Sequence, residues 1–247
     1  MNAGLRGQWA AAGYRSDAGS AAVVPPPSSE FIRVYHLTSA EFAISSIGLG
    51  RLKVARFSDL NDPFELMALN FRERRTRQVV RDFKNAYDSH TGVLCFSADW
   101  RNPVLWSHYG AKHRGICLGF NLRRSRAQTV RYEDERLLAE LGDENEPTTI
   151  DQELQELLLC TKFRHWQYEE ETRVFVPLEG ALKEGRLHFC PFDEDLQLAE
   201  VILGPQCNVS LKAVQDLTKA RHLNATVFGS RLAFKYFAVV PQESTVP

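Results

Sequence analysis

Residues of three kinds that build small polar sites stand far apart in this chain: His36, Tyr109 and the run Glu169-Glu170-Glu171. An imidazole exchanges hydrogen bonds near neutral pH. A phenol adds an aromatic face. A preorganised carboxylate stabilises positive charge as it develops in a reaction. Three adjacent carboxylates repel, and one that faces a closed pocket has its pKa raised by desolvation. A second polar group lies in the stretch FIRVYHLTSAEFAISSIGLGRLKVARFSDLNDPFE, residues 31–65, which also contributes Thr38, Ser58, Asn61, Asp62 and Glu65. Asp59, Asp62 and Glu65 are themselves an acidic cluster. With Glu171-Thr172-Arg173 standing where restriction-type enzymes have Glu-x-Lys, they make the residue set of a metal-dependent nuclease. Structural readings stay open beside these. His36 on an apolar strand face is equally the pattern of a satisfied core histidine. Trp106 and Tyr109 at helical spacing fit a core. Glu171 can pair with Arg173 or Lys162.

The elements that must position these residues follow from periodicity. Phe31, Arg33 and Tyr35 alternate with Ile32, Val34 and His36, so a strand ends at the histidine. Thr38 followed by Glu41 is a capping-box pattern, which predicts a helix starting near Ala40 and stopping at Gly48 and Gly50. Leu52, Val54 and Phe57 suggest a second strand, closed by Ser58 and the turn Asn61-Asp62-Pro63. A basic helix is expected over 70–89, with Arg72, Arg74, Arg75, Arg77 and Arg81 in its first half. It is either a solvated face or a phosphate-facing patch. Residues 92–97 and 115–120 read as buried strands. Residues 101–112 read as a short helix carrying Trp106, His108 and Tyr109. Further strands are expected at 129–132, 171–176, 186–189, 200–203, 225–228 and 233–238, and further helices at 151–163 and 210–222. The expected fold is α+β: mixed, mostly antiparallel sheets of short strands with flanking helices. Residues 1–29 form a Gly-, Ala- and Pro-rich tail ahead of a single domain over 30–247, which carries a variable acidic insertion at 133–151.

Composition narrows the functional classes. The chain has 247 residues, 44% hydrophobic and 25% charged, and a formal net charge of -1. That size supports one good core, and that charge gives no sign of bulk nucleic-acid or membrane binding. The five cysteines form no CxxC pair, which points to reduced thiols in the cytoplasm. No signal peptide or apolar run of bilayer length is read. There is no GxSxG, GxxxxGK[ST] or GxGxxG. His108, His113 and Cys117 lack a second pair with site-like spacing, so no metal site is expected.

Four segments carry a resemblance: LNDPFE (60–65), CFS (95–97), LWSHYGAKHRGICLGF (105–120) and WQYEEETR (166–173). Together they closely resemble the bacterial family called domain of unknown function 2971, over about residues 31–240. More remotely, YHLTS (35–39) and the order His, Tyr, Glu are similar to ADP-ribosyltransferases. This second resemblance implies an ADP-ribosyltransferase-like fold and NAD as substrate. His36, with a hydroxyl such as Thr38, would hold the nicotinamide ribose. Tyr109 would stack on the nicotinamide ring. Glu171 or Glu169 would stabilise the oxocarbenium-like transition state. Ser58 and Arg56 complete the implied NAD contacts, with Arg51 or the arginines of 72–81 also available to the diphosphate. Asn61, Asp62, Glu65, Trp106 and His108 form the rest of the pocket. The acceptor of ADP-ribose would be a protein or nucleic acid, as in a toxin or phage-defence effector. The alternatives are the metal-dependent nuclease and a non-catalytic module that binds a nucleic acid or acidic partner through the 72–81 arginines.

Overall fold

Alternating and fully apolar runs become the strands of one large sheet. The computed structural model describes residues 24–70, 74–137 and 150–242. Its strands and helices in chain order are β1 (Phe31–Thr38), α1 (Ala40–Leu49), β2 (Arg51–Val54), α2 (Arg74–His90), β3 (Thr91–Ser97), α3 (Pro103–His108), β4 (Ile116–Arg123), β5 (Gln128–Thr129) and β6 (Arg131–Glu133). There follow α4 (Gln152–Leu159), β7 (Thr161–Phe163), β8 (Glu171–Pro177), β9 (Leu182–Glu184), β10 (Leu187–Pro191), β11 (Leu196–Leu203), α5 (Leu211–Ala220), β12 (Thr226–Leu232) and β13 (Val239–Pro241). The main sheet has the order β13-β12-β11-β4-β1-β3-β8-β5. Its neighbours are antiparallel apart from the parallel pair β11 and β12. Strands β2, β10 and β9 make a small antiparallel sheet, and β6 and β7 a parallel pair. The architecture is α+β, as the mixture of short strands and helices predicts.

The sheet is buried on both faces at its centre, where β4 carries five consecutive buried residues from Ile116 to Phe120. On one face Val34, Leu94, Phe120 and Val201 pack against Ala43 and Ile47 of α1 and Val214 of α5. On the other, Cys117 and Ile202 meet Trp100, Leu105 and Trp106 around α3. Farther along, Phe57, Leu66, Val93 and Leu159 form a separate cluster beneath α2 and α4. The helix α1 is capped by Ser39, whose hydroxyl accepts from the Phe42 N–H at 3.3 Å. Thr38, the expected cap, is instead the last residue of β1, paired with Ile116. The helix stops at Gly50, whose φ of 65° is a left-handed conformation that glycine adopts without strain. Gly115 is needed for a different reason: a Cβ there would lie 2.1 Å from the Thr38 carbonyl oxygen.

Several expected boundaries move. The expected strand at 129–132 divides, because Gln128 and Thr129 pair with β8 while Arg131–Glu133 pair with β7. Residues 233–238 are not a strand. The Ala233 N–H bonds the Ala238 carbonyl at 2.9 Å, closing the segment on itself, and Phe237 is 99% exposed. The strand comes after it, as β13. Of the N-terminal tail, residues 1–23 lie outside the described residues, as do Arg72 and the 138–149 part of the acidic insertion. Among the described residues no helix is long and apolar enough to cross a membrane.

Candidate functional site

Side chains from five separated segments meet at one end of β1, β3 and β8. His36 leaves β1 and directs Nδ1 at the Cys95 carbonyl oxygen, 3.1 Å away. A carbonyl only accepts, so Nδ1 carries the proton and the neutral ring keeps Nε2 as an acceptor. Burial lowers the His36 pKa, which favours that neutral form. Tyr109 caps the C-terminus of α3. Its hydroxyl donates to Glu169 Oε1 in a short hydrogen bond and accepts from Asn61 Nδ2 at 2.9 Å. Glu169 is the last residue of a short 3-10 turn, Arg164–Glu169. Glu170 then takes a left-handed conformation with φ 43°, and Glu171 opens β8. The LNDPFE turn supplies Glu65. Asp62 Oδ1 accepts from the Phe64 N–H at 2.9 Å, and the Asp62 carbonyl accepts from the Glu65 N–H at 3.1 Å. That Asx-type lock delivers Glu65 inward, only 2% exposed.

Beneath these groups lies a buried ionic cluster. Arg173, fully buried in β8, donates through Nε to Glu171 Oε1 at 2.8 Å, through Nη1 to the Leu159 carbonyl at 2.6 Å and through Nη2 to Glu65 Oε1 at 2.7 Å. Lys162 of β7 lies 2.7 Å from Glu169 Oε2, 2.8 Å from Glu171 Oε2 and 3.4 Å from Glu65 Oε1. Two cations thus face three carboxylates, a formal excess of one negative charge. The carboxylates divide in character. Burial raises the Glu171 pKa, but Arg173 and Lys162 outweigh it and bring the group down to about 2. For Glu169 burial prevails over Lys162 and Tyr109, and its pKa lies above the ordinary carboxylate value. Lys162 is opposed by burial, yet its three carboxylates hold it firmly protonated. Burial and the neighbouring Glu171 keep the Cys95 thiol protonated.

A cavity of about 120 Å³ opens over this cluster. Its polar walls are Tyr35, His36, Asn61, Glu65, Cys95, Ser97, Tyr109, Lys162, Glu169 and Glu171, and Leu37, Leu60, Phe96 and Leu105 supply the apolar surface. At ~10–15 Å³ per water position the space suits a ring with part of a sugar rather than a whole dinucleotide.

His36, Asn61, Glu65, Tyr109, Glu169 and Glu171 are therefore brought together, and the other sequence candidates are not. Thr38 is held in the β1–β4 ladder. Ser58 and Arg56 both bind Asp88 of α2, at 3.0 Å and 3.2 Å. Trp106 is core, its Nε1–H donating to the Trp100 carbonyl at 2.6 Å. His108 is exposed, with Nδ1 2.8 Å from the Tyr168 hydroxyl. Asp62 is spent on its turn. Arg51 pairs with Glu184 at 2.7 Å. No arginine lines the cavity among the described residues, and the α2 arginines, Arg74, Arg75, Arg77 and Arg81, are not part of its wall. Nor do Asp59, Asp62 and Glu65 converge for a nuclease: Asp59 is exposed, Asp62 caps a turn and Glu65 pairs with Arg173. Among the described residues no group of three or more His, Cys, Asp and Glu side chains is placed to hold a metal ion.

Sequence reasoning missed Tyr35, Cys95 and Ser97 as wall residues, and it took Lys162 and Arg173 only as possible partners of Glu171. One signal was available. Glu171 and Arg173 stand two apart on a strand, so they share a face, and an arginine leading straight into the apolar run Val174-Phe175-Val176 needs a buried partner.

Comparison with family models, with curated proteins and with solved structures found no match to this chain. What fold and site define together is an α+β protein with a small cavity walled by imidazole, phenol and carboxylate.

Proposed function

We propose that this protein is an ADP-ribosyltransferase-like enzyme that takes the nicotinamide–ribose end of NAD into the cavity and cleaves its glycosidic bond. The supporting observation is that His36, Tyr109 and Glu169, from widely separated parts of the chain, line a single cavity. The geometry favours Glu169 over Glu171 as the acting carboxylate. Lys162 bonds both, but Glu171 is also tied to the buried Arg173 and depressed to about 2, whereas Glu169 has Tyr109 as its other partner and a raised pKa. In the reaction the bond from ribose C1′ to the ring nitrogen breaks, and its electron pair leaves with neutral nicotinamide. A nucleophile on the acceptor bonds to C1′, and its proton passes to the Glu169 carboxylate. The negative site stabilises the positive charge that spreads onto the ribose meanwhile. His36 Nε2 accepts from a ribose hydroxyl. The diphosphate extends outward, which accounts for a cavity wall without arginines among the described residues. Membership of the domain of unknown function 2971 family is part of the same proposal.

NAD consumption and label transfer from radiolabelled NAD in cell lysate test it. Wild type should turn NAD over, and Glu169→Gln should lose roughly 10²–10³-fold in rate, the usual effect of deleting one preorganised electrostatic group. Absence of turnover and of NAD binding in the wild type would remove the enzyme reading.

A further inference from the structure

The cavity wall is short of hydrogen-bond donors, and this bears on what it admits. The Tyr109 hydroxyl proton goes to Glu169, and the Tyr35 hydroxyl bonds Glu200. Ser97 donates to the Asp99 carbonyl at 3.0 Å. The Cys95 thiol bonds Glu171. One Asn61 N–H serves Tyr109. The three N–H bonds of Lys162 face three carboxylates, at 2.7, 2.8 and 3.4 Å. What remains for a ligand is mostly acceptor. His36 offers Nε2. Glu65 Oε2 is buried and has no hydrogen-bond partner among the described residues, although its sister oxygen is held by Arg173. A buried carboxylate oxygen left without a donor costs stability, so a donor supplied by a ligand is worth more there than at a surface. The formal charge of the Glu65, Glu169, Glu171, Lys162 and Arg173 cluster is negative as well.

We propose that this cavity selects its ligand by charge, admitting a cationic or N–H-donating head group and excluding the same head group bearing a carboxylate, with Glu65 as the specificity-determining residue. The inference deepens the NAD reading and rests on it. For a pyridine nucleotide it assigns two preferences: the carboxamide over the carboxylate at the ring, and the positively charged ring over the neutral dihydropyridine. An added negative charge next to the cluster meets like charge at low effective dielectric and gains at most the second Asn61 N–H in return.

Titration calorimetry of the full chain with NAD, NADH and nicotinic acid adenine dinucleotide tests this. NAD should bind at least about tenfold more tightly than the acid analogue, a difference of ~1.4 kcal/mol, and also more tightly than NADH. Glu65→Gln keeps the shape and removes the charge, so the preference for NAD over the acid analogue should shrink to within about threefold. Equal binding of the three nucleotides by wild type overturns the inference and leaves the NAD reading in place. So does a preference that Glu65→Gln leaves unchanged. Binding of none of them overturns both. If Glu65→Gln does not fold, the wild-type comparison of the three nucleotides still decides, because it needs no variant.

Discussion

Two buried ionic groups sit on the same sheet and differ in kind. Across β1, β4 and β11, Arg33 pairs with Glu200 one to one, and its Nε donates to Asn121 at 2.9 Å. Around β8, Arg173 and Lys162 hold three carboxylates, one of which keeps an oxygen without a partner among the described residues. The first group balances its own charge and holds three strands together. Both groups border a cavity, the pair one of about 390 Å³ and the cluster one of about 120 Å³, but only the second is left short of positive charge and of donors. A buried pair can be purely structural, because its members satisfy each other. A buried excess charge calls for something further, either a proton on one carboxylate or a ligand that supplies positive charge.

Replacing Arg173 with Met should have the largest effect. It strands Glu65 and Glu171, and loss of one partner from a buried ionic group costs about 3–5 kcal/mol. Urea unfolding should show a midpoint shift of that size, whereas a loss under about 1 kcal/mol would mean that the carboxylates find water. Acid should erode the β8 group next. The Glu171 carboxyl is depressed from 4.5 to about 2, so its contribution is present above the unfolded value and lost as pH falls through that window. By linkage this is at most about 3 kcal/mol. Glu169 has the opposite sign. Its pKa is raised, so the stability tied to its protonated form is present at low pH and fades as pH rises through the folded value. Stability curves from pH 2 to 7 should therefore have a shallower acid limb in Glu171→Gln, keeping the part that belongs to the buried neutral His36. A limb unchanged in that variant would place the acid sensitivity elsewhere.

The balanced pair should respond more weakly. The double replacement Arg33→Met with Glu200→Gln removes both charges together and should change stability by no more than about 1 kcal/mol in the same unfolding assay. A larger loss would make the two groups alike. Smallest of all is His108→Ala. That ring is exposed and bonds only Tyr168 among the described residues, so stability should stay within about 0.5 kcal/mol. Turnover should stay near wild type too. A large loss there would return His108 to the site.

The contrast also explains what could be read from the residues alone. Local signals placed β1, α1, β3 and β8, because alternation and caps act over a few residues. The short β2 alternates as well, Arg51-Leu52-Lys53-Val54, and was read with β10, whereas the exposed β9 was not anticipated. The run 233–238 has strand-like apolar content, yet Phe234 and Phe237 face outward, and the Ala233 N–H bonds the Ala238 carbonyl to close it into a turn. His36, Tyr109 and the glutamates could be named as candidates from type and order. Their convergence depends on pairings such as Glu65 with Arg173, 108 positions apart, which no local period encodes. The same distance effect left Glu169 and Glu171 both standing as candidates, and both line the cavity. Glu171 opens the strand and is held by Arg173 and Lys162, while Glu169 is held by Lys162 and Tyr109.

The most direct measurement is a diffraction structure of the protein crystallised with NAD. The account predicts the nicotinamide ring inside the cavity, the ribose within hydrogen-bond distance of His36 Nε2, and Glu169 next to the glycosidic bond. An empty cavity at saturating NAD, or NAD bound at another place on the protein, would contradict it.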